Sequence, residues 1–519
     1  MQEIELKFQV PVQARAAVGA AVAGRTPSRR VRLQAAYVDT PTRLLARAGL
    51  ALRVRREGRL WVQTLKGAGA DGMTRFEHNV PLASGAAAPW ADPVRHAGTP
   101  VGDRLLALLA DHPGEALCVR FRTDVMRRTR LVRTAHGQVE LAFDQGHIVA
   151  GEARIGLCEL EIELKQGAAL AVIDTARHWL PRHGLWLDSR SKAERGDMLA
   201  RGDPVAAPRS AQAVVLAKAQ SLPEVRQQVM RSCADQVLVN ASQVAAGEHG
   251  DEHVHQLRVG LRRLRTALRL FAAIDLDPGA SAALDAAAAT LFRALGPVRD
   301  SAVTDTAFSD DLAAAWRSAG VARGAASAAD APQSPRAAAA VPTPDAAALL
   351  RSATAQALLL DVLAAAGAAW PDAPDATDAP DATEAAAPPR TRAELSRQFQ
   401  RWHRLAAADA KAYAVLDDAG RHRLRKRVKR LRYAVEFGAT LFHAGAVRRY
   451  LRPLRLLQEG LGEINDVVVA LQAYRRRCDT DPLALFALGW LAARRDALLA
   501  QARPQAKAFA KSKAFWKSR

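Results

Sequence analysis

Over its first 203 residues the chain alternates apolar and polar positions with a period of two. "EIELKF" sets Glu3, Glu5 and Lys7 against Ile4, Leu6 and Phe8. Such a segment is a strand with one charged and one apolar face. Similar short runs follow: "VRLQAAYVDT", "LALRVRRE", "RLWVQTLKG", "TRFEHNVPL", "CVRFRTDVMRRTRLVR", "QVELAFDQGHIVAGEA" and "LCELEIELKQG". Gly, Asp or Pro separates them, which predicts eight antiparallel strands closing into a barrel or strongly curved sheet. Helical patches, "PVQARAAVGAAVAG", "VGDRLLALLADH" and "AALAVIDTARHWLPRHG", interrupt the strands. The first region is therefore expected to be α+β.

A Pro- and Ala-containing break, "RGDPVAAPRSAQ", sets a domain boundary at 204–215. From about 216 to 515 the apolar period changes to 3.6, which predicts an all-α bundle. Two low-complexity segments lie inside it, "GAASAADAPQSPRAAAAVPTPDAA" and "WPDAPDATDAPDATEAAAPPRT". Neither composition assembles a core, so both read as linkers around a short helix at about 345–368. The helical half also repeats itself. "HQLRVGLRRLRTALRLF" from His255 matches "HRLRKRVKRLRYAVEF" from His422 at a constant offset of 167, and "LFRALGPVRDSAV" matches "LQEGLGEINDVVV" at an offset of 166. Two units, about 216–322 and 392–515, flank an insert at about 323–391.

Charge changes the reading of the strands. The formal net charge is +21 over 519 residues, which favours polyanionic partners. Acids and bases alternate on nearly every strand: Arg53 and Arg55, Lys66, Arg75 and Glu77, Arg120 and Arg122, Asp144, then Glu159, Glu161 and Glu163. One such strand is ordinarily a wet outer face. A dense set of both signs suits a closed sheet whose charged faces line the lumen. Arg and Lys would hold phosphate oxygens there, and carboxylates a hard divalent cation. The four cysteines have no zinc-ligand or redox spacing. The longest apolar stretch is too short to span a bilayer. A cytoplasmic, soluble protein is the expectation.

"EIELK" is the Glu-x-Glu-x-Lys signature of the CYTH superfamily, the triphosphate tunnel metalloenzymes. "LALRVRRE", "TLKG", "RFEHNVPL", "ELAFDQGHIVAGE", "CELEIELKQG" and "SRSKAERG" resemble, in order, successive blocks of bacterial inorganic triphosphatases of that group. The helical half resembles the CHAD domain, a conserved-histidine α-helical domain. The resemblance implies an eight-stranded tunnel that hydrolyses a terminal phosphoanhydride of inorganic triphosphate with Mg²⁺ or Mn²⁺. Phosphate would meet Lys7, Arg53, Arg55, Lys66, Arg75, Arg120, Arg122 and Lys192. Metal would meet Glu3, Glu5, Asp144, Glu159, Glu161 and Glu163. The catalytic set would be Glu159, Glu161, Lys7 and Arg53, with a second metal, or a carboxylate such as Glu159 or Glu161, positioning and deprotonating water.

In the helical half, His255, Arg258, Arg262 and Arg265 share one face of their helix, and His422, Arg425, Lys429 and Arg432 share the equivalent face. Unrelieved like charge at i, i+4 costs stability. The resemblance to CHAD implies that these residues bind inorganic polyphosphate, with association to polyphosphate granules. Nucleic acid is disfavoured, since no helix-turn-helix, RNP or zinc-finger pattern is present. Two other readings stay open: a degenerate tunnel in a pure polyphosphate-binding protein, and a tunnel acting on another triphosphate, as thiamine triphosphatase or adenylate cyclase.

Overall fold

The computed structural model describes residues 2–25, 27–68, 74–82, 89–275, 277–298, 308–318, 345–367, 391–479 and 483–517. They form two compact units. The first comprises Met1–Ala211, Cys233–Gly260 and Ala346–Ala382; the second comprises Gln212–Ser232, Leu261–Asp345 and Thr383–Arg519.

The first unit is built on nine strands: β1 (Gln2–Gln9), β2 (Arg29–Asp39), β3 (Leu50–Glu57), β4 (Leu60–Ala68), β5 (Thr74–Leu82), β6 (Cys118–Thr134), β7 (Gly137–Ala150), β8 (Ala153–Gly167) and β9 (Trp186–Leu187). The order is β5-β4-β3-β2-β6-β7-β8-β1-β9, and a further β5–β1 pairing closes eight strands into a barrel. Two-residue turns join β3 to β4 and β7 to β8, each with a glycine at positive φ, Gly58 at 64° and Gly151 at 57°. Such turns match the twist of the strands they connect. The first half of β1 pairs with β5, through Glu3 and Arg75. Its second half pairs with β8, and the two-residue β9 takes over the other edge at Phe8 and Gln9. The eight expected strands are present; the ninth is too short to leave a periodic signal.

The apolar faces point outward and are covered. Phe8, Leu141, Leu160 and Ile162 have no exposed surface. They lie beneath α1 (Arg15–Ala23) and α4 (Leu170–His183), which pack on β1, β6, β7 and β8. A second outer cluster joins Leu45, Leu52, Leu65 and Leu105, from α2 (Leu44–Arg47), the sheet and α3 (Pro100–Ala110). Inside the barrel the lining is mixed. Phe121, Val125, Ile148 and Leu157 pack against Ala193 and Leu199 of α5 (Lys192–Arg201). This apolar plug holds α5 against the sheet. The approach is close: a Cβ on Gly196 would fall 2.2 Å from the Phe121 ring. The helix also has a capping box, in which Ser191 accepts from the Glu194 amide and the Glu194 carboxylate accepts from the Ser191 amide.

Four helical segments complete this unit: the C-terminal part of α6 (Leu222–Ala246), the N-terminal part of α7 (Asp251–Leu270), α10 (Ala346–Arg351) and α11 (Ala353–Gly367). The short helix expected between the linkers is therefore two helices, and it packs on α4 and β9. The linkers themselves lie outside the described residues. In the second unit, after α8 (Pro278–Ala294) and α9 (Ser309–Ser318), helices α12 (Thr391–Lys411), α13 (Asp418–Phe437), α14 (Ala444–Arg475) and α15 (Leu483–Ala510) form a four-helix ring, each packed on the next. The repeat is visible in the fold. Helices α7 and α13 begin at Asp251 and Asp418, the offset of 167 read from the sequence. Arg299 and Asp300 of the downstream block lie outside the described residues.

Because Phe8 is a core residue of the outer face, Phe8→Ala should cost about 3–5 kcal/mol. Chemical denaturation followed by the tunnel's tryptophans reads this. A loss below about 1 kcal/mol would mean that the apolar face is not the packed one.

Candidate functional site

Strand alternation places Glu3, Glu5 and Lys7 of β1, Glu159 and Glu161 of β8, and Asp144 of β7 on the lumen side. At its centre Asp144, Glu159 and Glu161 are buried, with one oxygen of each within 4.8 Å of the others. Burying three carboxylates together is costly without compensation. Two cations supply it. The Arg127 guanidinium donates to both oxygens of Asp144, at 2.7 and 2.6 Å, and also to Glu161. The Lys192 ammonium contacts Asp144 at 2.8 Å and Glu161 at 2.9 Å, and also pairs with Glu159. Arg195 reaches Glu159 at 3.5 Å.

These partners split the carboxylates. Burial would raise Glu161, but Lys192, Arg127 and Lys7 hold it well below the usual range. Burial outweighs Lys192 at Glu159, whose pKa is raised. Lys192 stays above its ordinary value despite burial, because Asp144, Glu159 and Glu161 surround it. Three hard oxygen donors in one buried cluster fit a Mg²⁺- or Mn²⁺-type cation.

A basic wall accompanies the acids. Arg53 donates to the Tyr37 hydroxyl at 3.0 Å, and burial with repulsion from Arg53 and Arg127 lowers Arg55 to about 10. Arg55 is paired with Glu57. Lys66 donates to Glu3 at 2.9 Å and is paired with Glu77. Burial, eased by Lys66 and reinforced by Glu77, raises Glu3 to about 7. Lys7 is paired with Glu5. Guanidinium and ammonium groups so arranged suit a chain of phosphate oxygens.

Not every sequence candidate comes to this centre. Glu163 hydrogen-bonds Lys165 at 2.6 Å and stands outside the three-carboxylate cluster. Arg75 pairs with Glu3 in the sheet, but its side chain lies outside the description. Arg122 is exposed, and Arg127, not Arg122, has the inward parity on β6. The register slips between Tyr37 and Val38, leaving Arg120 as the extra residue between Val119 and Phe121, its Nε buried with no partner among the described residues.

Arg127 and Tyr37 were not among the sequence candidates. A signal existed for the first. Thr134 pairs with Gly137 across a two-residue turn, and counting seven residues back along both strands sets Arg127 opposite Asp144. Tyr37 gives no such signal, since its ring reads as apolar. It stacks on Phe121 at 4.5 Å, and despite burial Arg53 holds its hydroxyl below the ordinary value.

The basic helices divide between the units. His255 and Arg258 lie in the first; Arg262, Arg265 and the residues of α13 lie in the second. In the second unit Arg262, Arg425, Lys429 and Arg432 are close enough to repel, with Asp466 of α14 opposing. Burial, then Arg262 and Arg425, lowers Lys429 to about 6. The like charge is partly relieved. Arg265 and Arg269 share Asp285 at 2.8 and 2.7 Å, and Arg432 bonds Gln458 at 2.7 Å and Glu436 at 3.2 Å. His422 and Asn465 are 3.3 Å apart.

With this geometry in place, family models match at both ends: the CYTH domain at residues 1–196 and the CHAD domain at residues 228–475. The chain carries a CYTH domain followed by a CHAD domain. An inorganic triphosphatase of Haemophilus influenzae is 32% identical over 206 residues, which are 38% of this chain and 55% of that protein. The match thus spans about half of that relative's length. Among solved structures, the CHAD domain of the plant Ricinus communis is 27% identical and covers 59% of this chain and 98% of its own, with a TM-score of 0.44. A Hippeastrum protein, described as a candidate adenylyl cyclase with a dominant triphosphatase activity, is 17% identical, covering 38% and 96%, with a TM-score of 0.28. Among the described residues, no helix is long and apolar enough to cross a membrane.

If the CYTH carboxylate cluster holds the cation, Glu159→Gln and Glu161→Gln should each weaken Mn²⁺ binding at least about tenfold. Electron paramagnetic resonance titration reads free Mn²⁺ directly. Wild-type affinity in both variants would place the cation elsewhere.

Proposed function

We propose that the tunnel hydrolyses inorganic triphosphate to diphosphate and phosphate with Mg²⁺ or Mn²⁺, and that the helical half binds inorganic polyphosphate. In functional terms the tunnel domain is 1–203, the connection 204–215 and the helical domain 216–515. The observation that carries the reading is the buried trio Asp144, Glu159 and Glu161 sharing one lumen with Arg53, Arg55, Lys66 and Lys7. The 32% identity to an inorganic triphosphatase supports the choice of substrate.

Each residue has a task. Arg53, Arg55, Lys66 and Lys7 bind and align phosphate oxygens. Lys192 holds charge at the terminal phosphoryl group. Asp144, Glu159 and Glu161 hold the cation, which supplies Lewis-acid neutralisation of phosphate charge. Water attacks the terminal phosphorus, the bond to the bridging oxygen breaks, and diphosphate leaves. One of Glu159 and Glu161 takes the water's proton. Phosphoryl transfer of this kind needs positioning and charge neutralisation more than covalent chemistry.

Phosphate release from triphosphate, ATP, thiamine triphosphate and long-chain polyphosphate, each with Mg²⁺ or Mn²⁺, tests the enzymatic half. Triphosphate should be the best substrate, and Arg55→Ala should lower kcat/KM by about 10²-fold or more. No turnover of any substrate would end the enzymatic reading.

Lys429 makes the other half testable by pH. Its pKa near 6 leaves it mostly neutral at pH 7. A bound polyanion raises that pKa, so binding takes up a proton. Polyphosphate affinity should therefore rise as pH falls from 8 to 6 and level off below. Calorimetry in two buffers of different ionisation enthalpy should show uptake, and Lys429→Met should reduce it, the remainder belonging to His422, whose pKa burial and Lys426 also hold down. Affinity that is flat from pH 8 to 6 would contradict the assignment.

A further inference from the structure

Lys192 contacts all three buried carboxylates, so the segment that delivers it matters. That segment is Trp186–Ser191. Its first two residues form β9 on the edge of β1, and the Asp188 amide continues the pairing by donating to the Lys7 carbonyl at 2.9 Å. Amides alternate along an antiparallel edge. Those of Leu187 and Ser189 therefore point away from β1, where an edge strand has no partner of its own.

Both are met by helical side chains. The Leu187 amide donates to the Gln356 side-chain oxygen of α11 at 2.7 Å. The Ser189 amide donates to the Ser242 hydroxyl of α6 at 2.9 Å, and the two serine hydroxyls lie 3.1 Å apart. Gln356 and Ser242 are each 1% exposed, and each is fixed in turn, Gln356 by donating to the Leu350 carbonyl at 2.7 Å and Ser242 by donating to the Leu238 carbonyl at 2.8 Å. Arg190 closes the segment. It donates to both oxygens of Asp188 at 2.9 Å and to Glu248 beyond α6. Gln9 of β1 donates to the same aspartate at 3.1 Å.

We propose that Gln356 and Ser242 are positioning residues for the tunnel: they take the place of a neighbouring strand on β9 and thereby hold Lys192 over Asp144, Glu159 and Glu161. The consequence is that the tunnel's chemistry depends on side chains 50 and 164 residues beyond Lys192, inside what reads as a separate helical half. The inference rests on the triphosphatase reading, and its test separates the two.

The test compares the full chain with Ser242→Ala/Gln356→Leu, which removes both acceptors, and with Ser242→Thr, which keeps a hydroxyl acceptor at 242 and leaves Gln356 with both its acceptor and its bond to Leu350. Hydrogen exchange by mass spectrometry over peptides spanning 186–191 reads the strut itself. Turnover of triphosphate reads its effect. The double variant should exchange these amides at least about tenfold faster and lose about tenfold or more in kcat, with KM within about twofold. Ser242→Thr should keep most of the rate. The single variants Ser242→Ala and Gln356→Leu are measured alongside, so that a double variant that fails to fold leaves the question answerable. Unchanged exchange would overturn the strut. Faster exchange with unchanged kcat would overturn its role. No turnover by the wild type would instead remove the enzymatic reading, and the inference with it.

Discussion

Asp144 has no exposed surface, yet it stays ionised between Arg127 and Lys192. The first unit depends on that neutralisation. A barrel with charges inside must satisfy them in a space water enters poorly, and an unpaired buried charge costs several kcal/mol. Here the acids of β7 and β8 are matched by a guanidinium from β6 and an ammonium from α5. The apolar half of every strand must then face outward, and so needs α1, α3 and α4 as cover. The inverted barrel and its helical coat are two consequences of one electrostatic requirement, while the apolar plug inside holds the helix that supplies the ammonium.

The same cluster explains how a structure can be stable without ligand and ready for one. Lys192 and Arg127 neutralise the carboxylates from within. On the proposed function, a divalent cation at those carboxylates would compete with Lys192, and a polyanion would offer Lys192 and Arg55 new partners. Arg55 is held to about 10 by burial and its like-charged neighbours, so an anion there relieves repulsion as it binds. Such an exchange of internal for external counter-ions would leave the buried charges compensated, which is the kind of preorganisation that electrostatic catalysis requires.

Much of this was legible in the sequence. Period-two alternation gave the charged and apolar faces of β1 and β8, and the density of both signs indicated which face was inside. The constant offset of 167 exposed the helical repeat. Other parts were harder to read. Arg127 hid in an arginine-rich strand of 17 residues, where alternation alone does not say which face is inward and only the count back from the β6–β7 turn sets Arg127 opposite Asp144. Arg122 shared the run but takes the opposite face. Tyr37 looked apolar because only its hydroxyl, which accepts from Arg53, is polar. Gln356 and Ser242 read as helix interior, since their partners are backbone amides of a two-residue strand and the turn after it. Charge relief was also invisible: Asp285 lies 20 residues beyond Arg265, on another helix.

Crystals grown with Mn²⁺ and a non-hydrolysable triphosphate analogue offer the most direct measurement of the central claim, since manganese scatters anomalously. The account predicts an anomalous peak in contact with oxygens of Glu159 and Glu161, the analogue lying against Arg53 and Arg55, and Lys192 withdrawn from at least one of its three carboxylates. A peak away from that cluster, or Lys192 still paired with all three beside a bound metal, would contradict it.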